Sequence, residues 1–159
     1  MNYPFEPRST AYLEPGQFWA VPLSDGRFAC GRVLDVPRTD DPHIPVSKRT
    51  FLAGLLEWVS DSKPTEKAIG GAPLLRQGFA HIKAIRETGG MILGLRPLAA
   101  DDIQPHLWVT TGFLPQAWVY RGADPVRRAA DADRSLPVMG VWGYNVIRVI
   151  AEHAFVRAE

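Results

Sequence analysis

The residues best suited to chemistry are His43, His81, His106 and His153, the acids Asp40 and Asp41 beside His43, and the single cysteine, Cys30. No two histidines stand at the i, i+2 or i, i+4 spacing that turns two imidazoles onto one metal. Asp40-Asp41-Pro42-His43 sets hard oxygens beside an imidazole in a loop. A metal there needs further ligands from elsewhere, such as His81 or His106. The plainer reading of the same residues is a solvated acidic loop. Cys30 could act as a nucleophile with a distant histidine. It lies mid-strand between Ala29 and Gly31, however, where a thiol behaves as a small buried hydrophobe. Gly-x-Ser-x-Gly, G-x-G-x-x-G and phosphate-loop patterns are absent, so Gly70-Gly71 and Gly89-Gly90 read as turn punctuation. The sequence therefore predicts no catalytic set, no metal and no cofactor.

Two residue types speak to binding instead. Five tryptophans, at 19, 58, 108, 118 and 142, lie within apolar runs, which predicts that most of them are core. Arg32 projects from an otherwise apolar strand face. It is expected to stack on an aromatic ring or meet a carboxylate at the sheet margin, and it is a candidate ligand-binding arginine. Lys48-Arg49 and the run from Arg121 to Arg134 have acidic neighbours and read as solvated surface rather than a nucleic-acid stripe.

The elements that must position these groups begin with residues 15–36. Two apolar, β-leaning runs flank Ser24-Asp25-Gly26, a strong hairpin signal. A two-residue turn would put Pro22 in a hydrogen-bonded pair with Ala29, where its missing N–H costs a ladder bond. A three-residue turn pairs Pro22 with Phe28 and Leu23 with Arg27, with Gly26 left-handed, and is the predicted register. One face then carries Phe18, Ala20, Pro22, Phe28, Cys30 and Arg32. The other carries Trp19, Val21, Leu23, Ala29, Gly31 and Val33, with the Trp19 indole lying over Gly31. Both faces are largely apolar, so the hairpin should be covered on both sides.

Further along, residues 1–14 read as an irregular arm with Tyr3, Phe5 and Tyr12 available to dock. Residues 37–49 and 60–72 read as loops. Residues 51–59 form a buried apolar run, read as a strand although periodicity alone also permits a helix. Strands are expected over 79–85, 91–95, 107–114 and 117–120, the last two parted by Pro115. Residues 124–134 suggest an exposed helical turn or a mobile loop. Within 143–156, Val146, Ile147, Ile150, Ala151 and Ala154 gather on one side, which predicts an amphipathic helix. Fourteen glycines and fourteen prolines favour short strands over long helices. The expected fold is α+β with strands dominating, a strongly bent antiparallel sheet or small barrel with one or two packed helices.

Composition narrows the class. With 159 residues, 22% charged and 46% apolar, the chain suits a single globular domain over 1–159. A net charge of +1 gives no electrostatic case for nucleic acid. No apolar span long enough for the bilayer and no basic-then-apolar leader is visible, and one cysteine fits a reducing compartment; the expected location is the cytoplasm.

The hairpin also carries a likeness. Pro15-Gly16, Phe18, Pro22-Leu23, Asp25-Gly26 and Gly31-Arg32-Val33-Leu34 resemble the opening of the immunity protein 26 family, a PG start and DG turn followed by G-x-V-L. Gln17 stands where the family commonly has an acid. A looser echo appears at Leu136-Pro137 and Gly140 to Tyr144. The resemblance implies a bacterial protein of polymorphic-toxin systems that neutralises a cognate toxin by binding it. The family name is also attached to a phosphotriesterase branch, which implies as an alternative a small metal-assisted hydrolase; a β-rich interaction module without a toxin partner is a third reading. By analogy the inhibitory surface would lie on the loops, where Asp40, Asp41, Asp61 and Glu66 could meet a basic toxin cleft.

Overall fold

The computed structural model describes residues 2–111 and 116–156. The hairpin forms first in sequence and in logic. β1 (Gln17–Pro22) and β2 (Phe28–Asp35) pair antiparallel with Trp19 opposite Gly31 and Pro22 opposite Phe28. Leu23 N–H donates to the Arg27 carbonyl at 2.8 Å, and Gly26 sits at φ +88°. This is the three-residue turn that the Pro22 constraint requires.

β3 (Thr50–Ser60) joins β2, and β4 (Leu74–His81) joins β3, both antiparallel. The short β5 (Gly94–Leu95) flanks β1, and β9 (Gly140–Gly143) flanks β4. The sheet order is thus β5-β1-β2-β3-β4-β9. Register shifts in the β2–β3 and β3–β4 pairs bend the sheet, which does not close into a barrel. A second sheet contains β6 (Leu107–Val109), β7 (Trp118–Arg121) and β8 (Asp124–Arg128). The two helices are α1 (Lys83–Thr88) and α2 (Val146–Phe155).

The main sheet is covered on both faces. On one, Trp19, Val21, Leu23, Ala29 and Val33 pack with Ile82, Ile85 and Ile147 of the helices and their approaches. On the other, Phe18, Cys30, Leu34, Leu52 and Phe79 pack beneath Trp108 and Tyr120 of the second sheet. Two indoles lie on strand glycines of the first face. A Cβ on Gly31 would stand 2.4 Å from Trp19 ring carbons, and one on Gly78 would stand 2.3 Å from Trp142 Nε1. Trp19, Trp108 and Trp142 are buried, while Trp58 and Trp118 are half-buried.

Several expectations are corrected. The strand placed at 79–85 starts earlier, at Leu74, and ends at His81. Ile82 then caps α1, since the alternation of Ala80, Ile82 and Ala84 continues into Ile85, which is buried one helical turn beyond Ile82. Of 91–95 only Gly94–Leu95 is strand; Ile92 makes an isolated bridge to Phe5 of the arm. The 107–114 strand spans Leu107–Val109, and Leu114 and Pro115 lie outside the described residues. Residues 124–134, expected as helical turn or loop, begin as β8, an exposed edge strand, before a 3-10 turn over Asp131–Ser135. β9 runs parallel to β4, so the main sheet is mixed at that margin. In the arm Tyr3 and Phe5 pack on the core, but Tyr12 is exposed. α2 buries Ile147 and Ala151, with Val146 and Ala154 left outside.

Candidate functional site

Gln17, the point at which the opening departs from the resembled pattern, is built into the arm. Its side chain is fully buried, and its amide donates to the Tyr12 carbonyl at 2.9 Å and to Tyr3 Oη at 3.3 Å. Its Oε1 accepts from Glu14 N–H at 3.0 Å. A carboxylate has no donor for the Tyr12 carbonyl, so the amide suits this arm.

The four acids expected at a partner surface fall into two groups. Asp40 and Asp41 stand on the loop entering β3. Asp40 is exposed, whereas Asp41 is half-buried and structurally engaged. Tyr120 Oη donates to Asp41 at 2.9 Å, and His43 N–H donates to it at 2.7 Å. Burial, then the Asp41 carboxylate, push the Tyr120 hydroxyl well above its usual pKa, so it remains a donor. Trp108 stacks on the Tyr120 ring at 4.9 Å, and the His43 ring meets the same ring edge-on at 5.8 Å.

Asp61 and Glu66 stand on the loop leaving β3, both exposed. This loop folds back along the strand, where Trp58 Nε1 donates to the Ala68 carbonyl at 3.0 Å and Ile69 is buried. Arg96 anchors it, with Nη1 donating to the Glu66 carbonyl at 3.4 Å. The same guanidinium clasps Asp101 through Nε at 2.7 Å and Nη2 at 2.8 Å, and Gly71 N–H also donates to Asp101 at 2.8 Å. The Arg96 hydrogen bonds hold the Asp101 carboxyl down at about 2. Beside this anchor lies an open, mostly apolar cleft of about 510 Å³, walled by Tyr3, Phe18, Leu93 and Leu95 with Lys63 and Glu66 at its rim. No described hydrogen bond or ion pair joins Asp40 or Asp41 to Asp61 or Glu66.

Arg32 is fully buried beside Phe18, its cross-strand partner. One Nη2 donates to the Arg96 carbonyl, while Nε and Nη1 have no partner among the described residues. Burial lowers its pKa. The arginine expected at the sheet margin is therefore inside, tying β2 to the Arg96 turn. Cys30 is also fully buried, and burial pushes its thiol up to about 12, out of reach of nucleophilic chemistry. Among the described residues no three of His, Cys, Asp and Glu gather as metal ligands around Asp41 and His43 or elsewhere. Tyr120, Arg96 and Asp101 were missed by sequence reasoning. No local pattern marks any of the three, because Arg96 and Asp101 meet across a 3-10 turn and Tyr120 meets Asp41 from another sheet.

The motif residues Pro15, Gly16, Phe18, Pro22, Leu23, Asp25, Gly26, Gly31 and Val33 all belong to the hairpin and its entry turn. Gly16, at φ +101°, sits against the Arg96 carbonyl, where a Cβ would come within 2.8 Å. The bent sheet is covered on both faces, and Asp40, Asp61 and Glu66 stand exposed on the loops that enter and leave β3. The sequence model of the family described as Immunity protein 26 matches residues 14–112, and the chain belongs to that family. The match opens at the PG turn and runs through β6, leaving residues 136–144 outside it. Neither the curated proteins nor the solved structures contain a match to this chain.

Proposed function

We propose that this protein binds and neutralises a cognate bacterial toxin domain in the cytoplasm. Membership of the immunity protein 26 family across residues 14–112 carries the reading. The fold supports it in two ways: Asp40, Asp61 and Glu66 are exposed on the loops flanking β3, and one of these loops borders an apolar cleft. No helix among the described residues is long and apolar enough to cross a membrane, which is compatible with action in the cytoplasm. Asp40, Asp61 and Glu66 are proposed to face a basic toxin surface, with Asp61 and Glu66 acting together beside the cleft, and Asp41, held by Tyr120, is proposed to support that surface by fixing the loop that presents Asp40.

The test is retention of a toxin-like protein at one-to-one stoichiometry on the tagged chain in host lysate, followed by affinity measurement with that toxin. Alanine at all four acids is expected to weaken binding. Because Asp41 also holds Tyr120, the Asp61→Ala, Glu66→Ala pair is measured separately from the Asp40→Ala, Asp41→Ala pair. Unchanged affinity in both pairs removes the acidic surface from the reading, and absence of any protective effect against the toxin in cells removes the function.

A further inference from the structure

The described residues include seven large hydrophobic side chains that are exposed, and three of them, Val138, Val141 and Tyr144, lie in or directly beside β9, with Val146 and Val149 following on α2. Val141 is 82% exposed and Val138 is 58% exposed. A concentration of this kind is unusual on a soluble surface and marks contact sites. β9 is the last strand of the main sheet, and its outer side is met by no strand among the described residues. Just before it, the Pro137 carbonyl accepts from Val109 N–H of β6 at 3.0 Å, so pairing along this edge stops where β9 begins. An open strand edge offers unpaired N–H and C=O groups to an incoming strand.

The side chains beside the edge form matching hollows. One of about 320 Å³ is walled by Phe79, Trp108, Met139 and Val141, and one of about 220 Å³ by Arg76, His106, Met139 and Trp142. Alternate side chains of an added strand need apolar seats of this kind. No acidic residue lines either hollow. From Leu136 to Ile150 the only charged residue is Arg148. Arg76 stands at one end of the β9 edge, and at the other Lys83 Nζ lies 5.1 Å from the Tyr144 ring centroid. Asp41, next in sequence to Pro42 of the first hollow, is taken up by the Tyr120 hydroxyl.

We infer that the β9 edge is a docking site for an extended segment of a partner protein, apolar at its centre and acidic at its ends. A second copy of this chain fits poorly, because antiparallel pairing of two β9 edges would set Arg76 of one against Lys83 of the other. The inference rests on reading the chain as a binding protein, but not on the acidic loops, and its test needs no toxin. The probe is the blocked peptide Glu-Glu-Val-Ile-Val-Glu-Glu, titrated into isotope-labelled protein while backbone amide signals are followed. Controls are the same peptide with lysine for glutamate, and the acidic peptide with N-methylated valines, which cannot complete a ladder.

Shifts confined to residues 136–144 and to the wall residues of the two hollows, Arg76, Phe79, His106 and Trp108 among them, are expected with the acidic peptide, with the lysine peptide weaker by on the order of tenfold and the N-methylated one silent. Arg76→Glu, at an exposed position, should narrow or reverse the charge preference. No shift at millimolar peptide, equal binding of all three peptides, shifts elsewhere, or sedimentation of the free protein as a dimer each overturn the inference. The Asp61→Ala, Glu66→Ala variant, whose residues line neither hollow, should bind the acidic peptide as the parent does, so failure of the loop surface and failure of the edge are told apart.

Discussion

Adding one methyl group at Gly31 should destabilise the fold through a single identifiable clash. The new Cβ would stand 2.4 Å from Trp19 Cε2 and Cζ2 and 2.8 Å from Cδ2, about an ångström inside ordinary contact. The indole cannot retreat. It is fully buried, it meets the Phe51 ring edge-on at 5.8 Å, and its Nε1 donates to Thr88 Oγ1 at 3.2 Å. Overpacking of a core costs roughly 1–3 kcal/mol, and the entropy gained by replacing glycine in a strand returns about 0.5–1 kcal/mol. Gly31→Ala should therefore lose about 1 kcal/mol, within roughly 0–2.5 kcal/mol, or roughly 2–4 °C in Tm for a chain of this size. Trp19→Leu, costly alone because it opens a cavity, should make room for the added methyl group. Urea unfolding followed by far-UV circular dichroism on the parent, both single variants and the double variant gives the coupling, expected at about 1 kcal/mol or more in favour of the pair. Additivity within about 0.5 kcal/mol would show that the clash is relaxed by backbone movement and refute the reasoning.

Gln17→Glu should cost roughly 1–3 kcal/mol at neutral pH, because a buried carboxylate would face the Tyr12 carbonyl with no donor to offer; denaturant unfolding measures it, with Gln17→Met as the uncharged comparison. Asp101 has a folded pKa of about 2 against an ordinary 3.8. Its contribution is therefore complete above pH 4 and lost as pH falls through about 2, so the stability gap between parent and Asp101→Asn should close over that range. A gap that stays constant with pH would deny the carboxylate this role. Cys30, with its thiol at about 12 and no exposed surface, should resist a disulfide reagent at pH 8 in native buffer and react promptly in denaturant. Fast native labelling would show that the Phe18–Phe79 face opens.

The buried charge in the second core has a definite logic. Arg32 brings a guanidinium among Phe18, Cys30 and Leu34, where desolvation is expensive. Its one bond goes to the backbone of Arg96, and Arg96 in turn holds Asp101 and the Glu66 carbonyl. The hairpin is thereby tied to the loop that carries Asp61 and Glu66. A hydrophobic replacement at 32 would spare the desolvation cost and leave that loop fastened from one side only. Arg32 therefore acts on the position of the surface rather than touching a ligand, which corrects its standing as a candidate binding residue.

The hairpin was legible in full because its information is local. Pro22 excludes one register, Gly26 permits the other, and the pairing of Trp19 with Gly31 follows from the count between them. The 143–156 helix was legible for the same reason, its buried Ile147, half-buried Ile150 and buried Ala151 lying three and four residues apart. What could not be read was whatever depends on distant partners. Trp142 over Gly78 repeats the device of Trp19 over Gly31, but it joins a parallel pair with no turn between the strands to set a register. β9 is short and ends in glycine, and among the described residues β4 is the one strand it pairs with. The same separation explains the acids. Sequence places Asp40 beside Asp41 as equals, yet only Asp41 meets Tyr120, which arrives from the second sheet and turns one of the pair from a surface charge into a fastening. A loop residue's neighbours in sequence say what it is, but its partner across the fold decides whether it is free to bind.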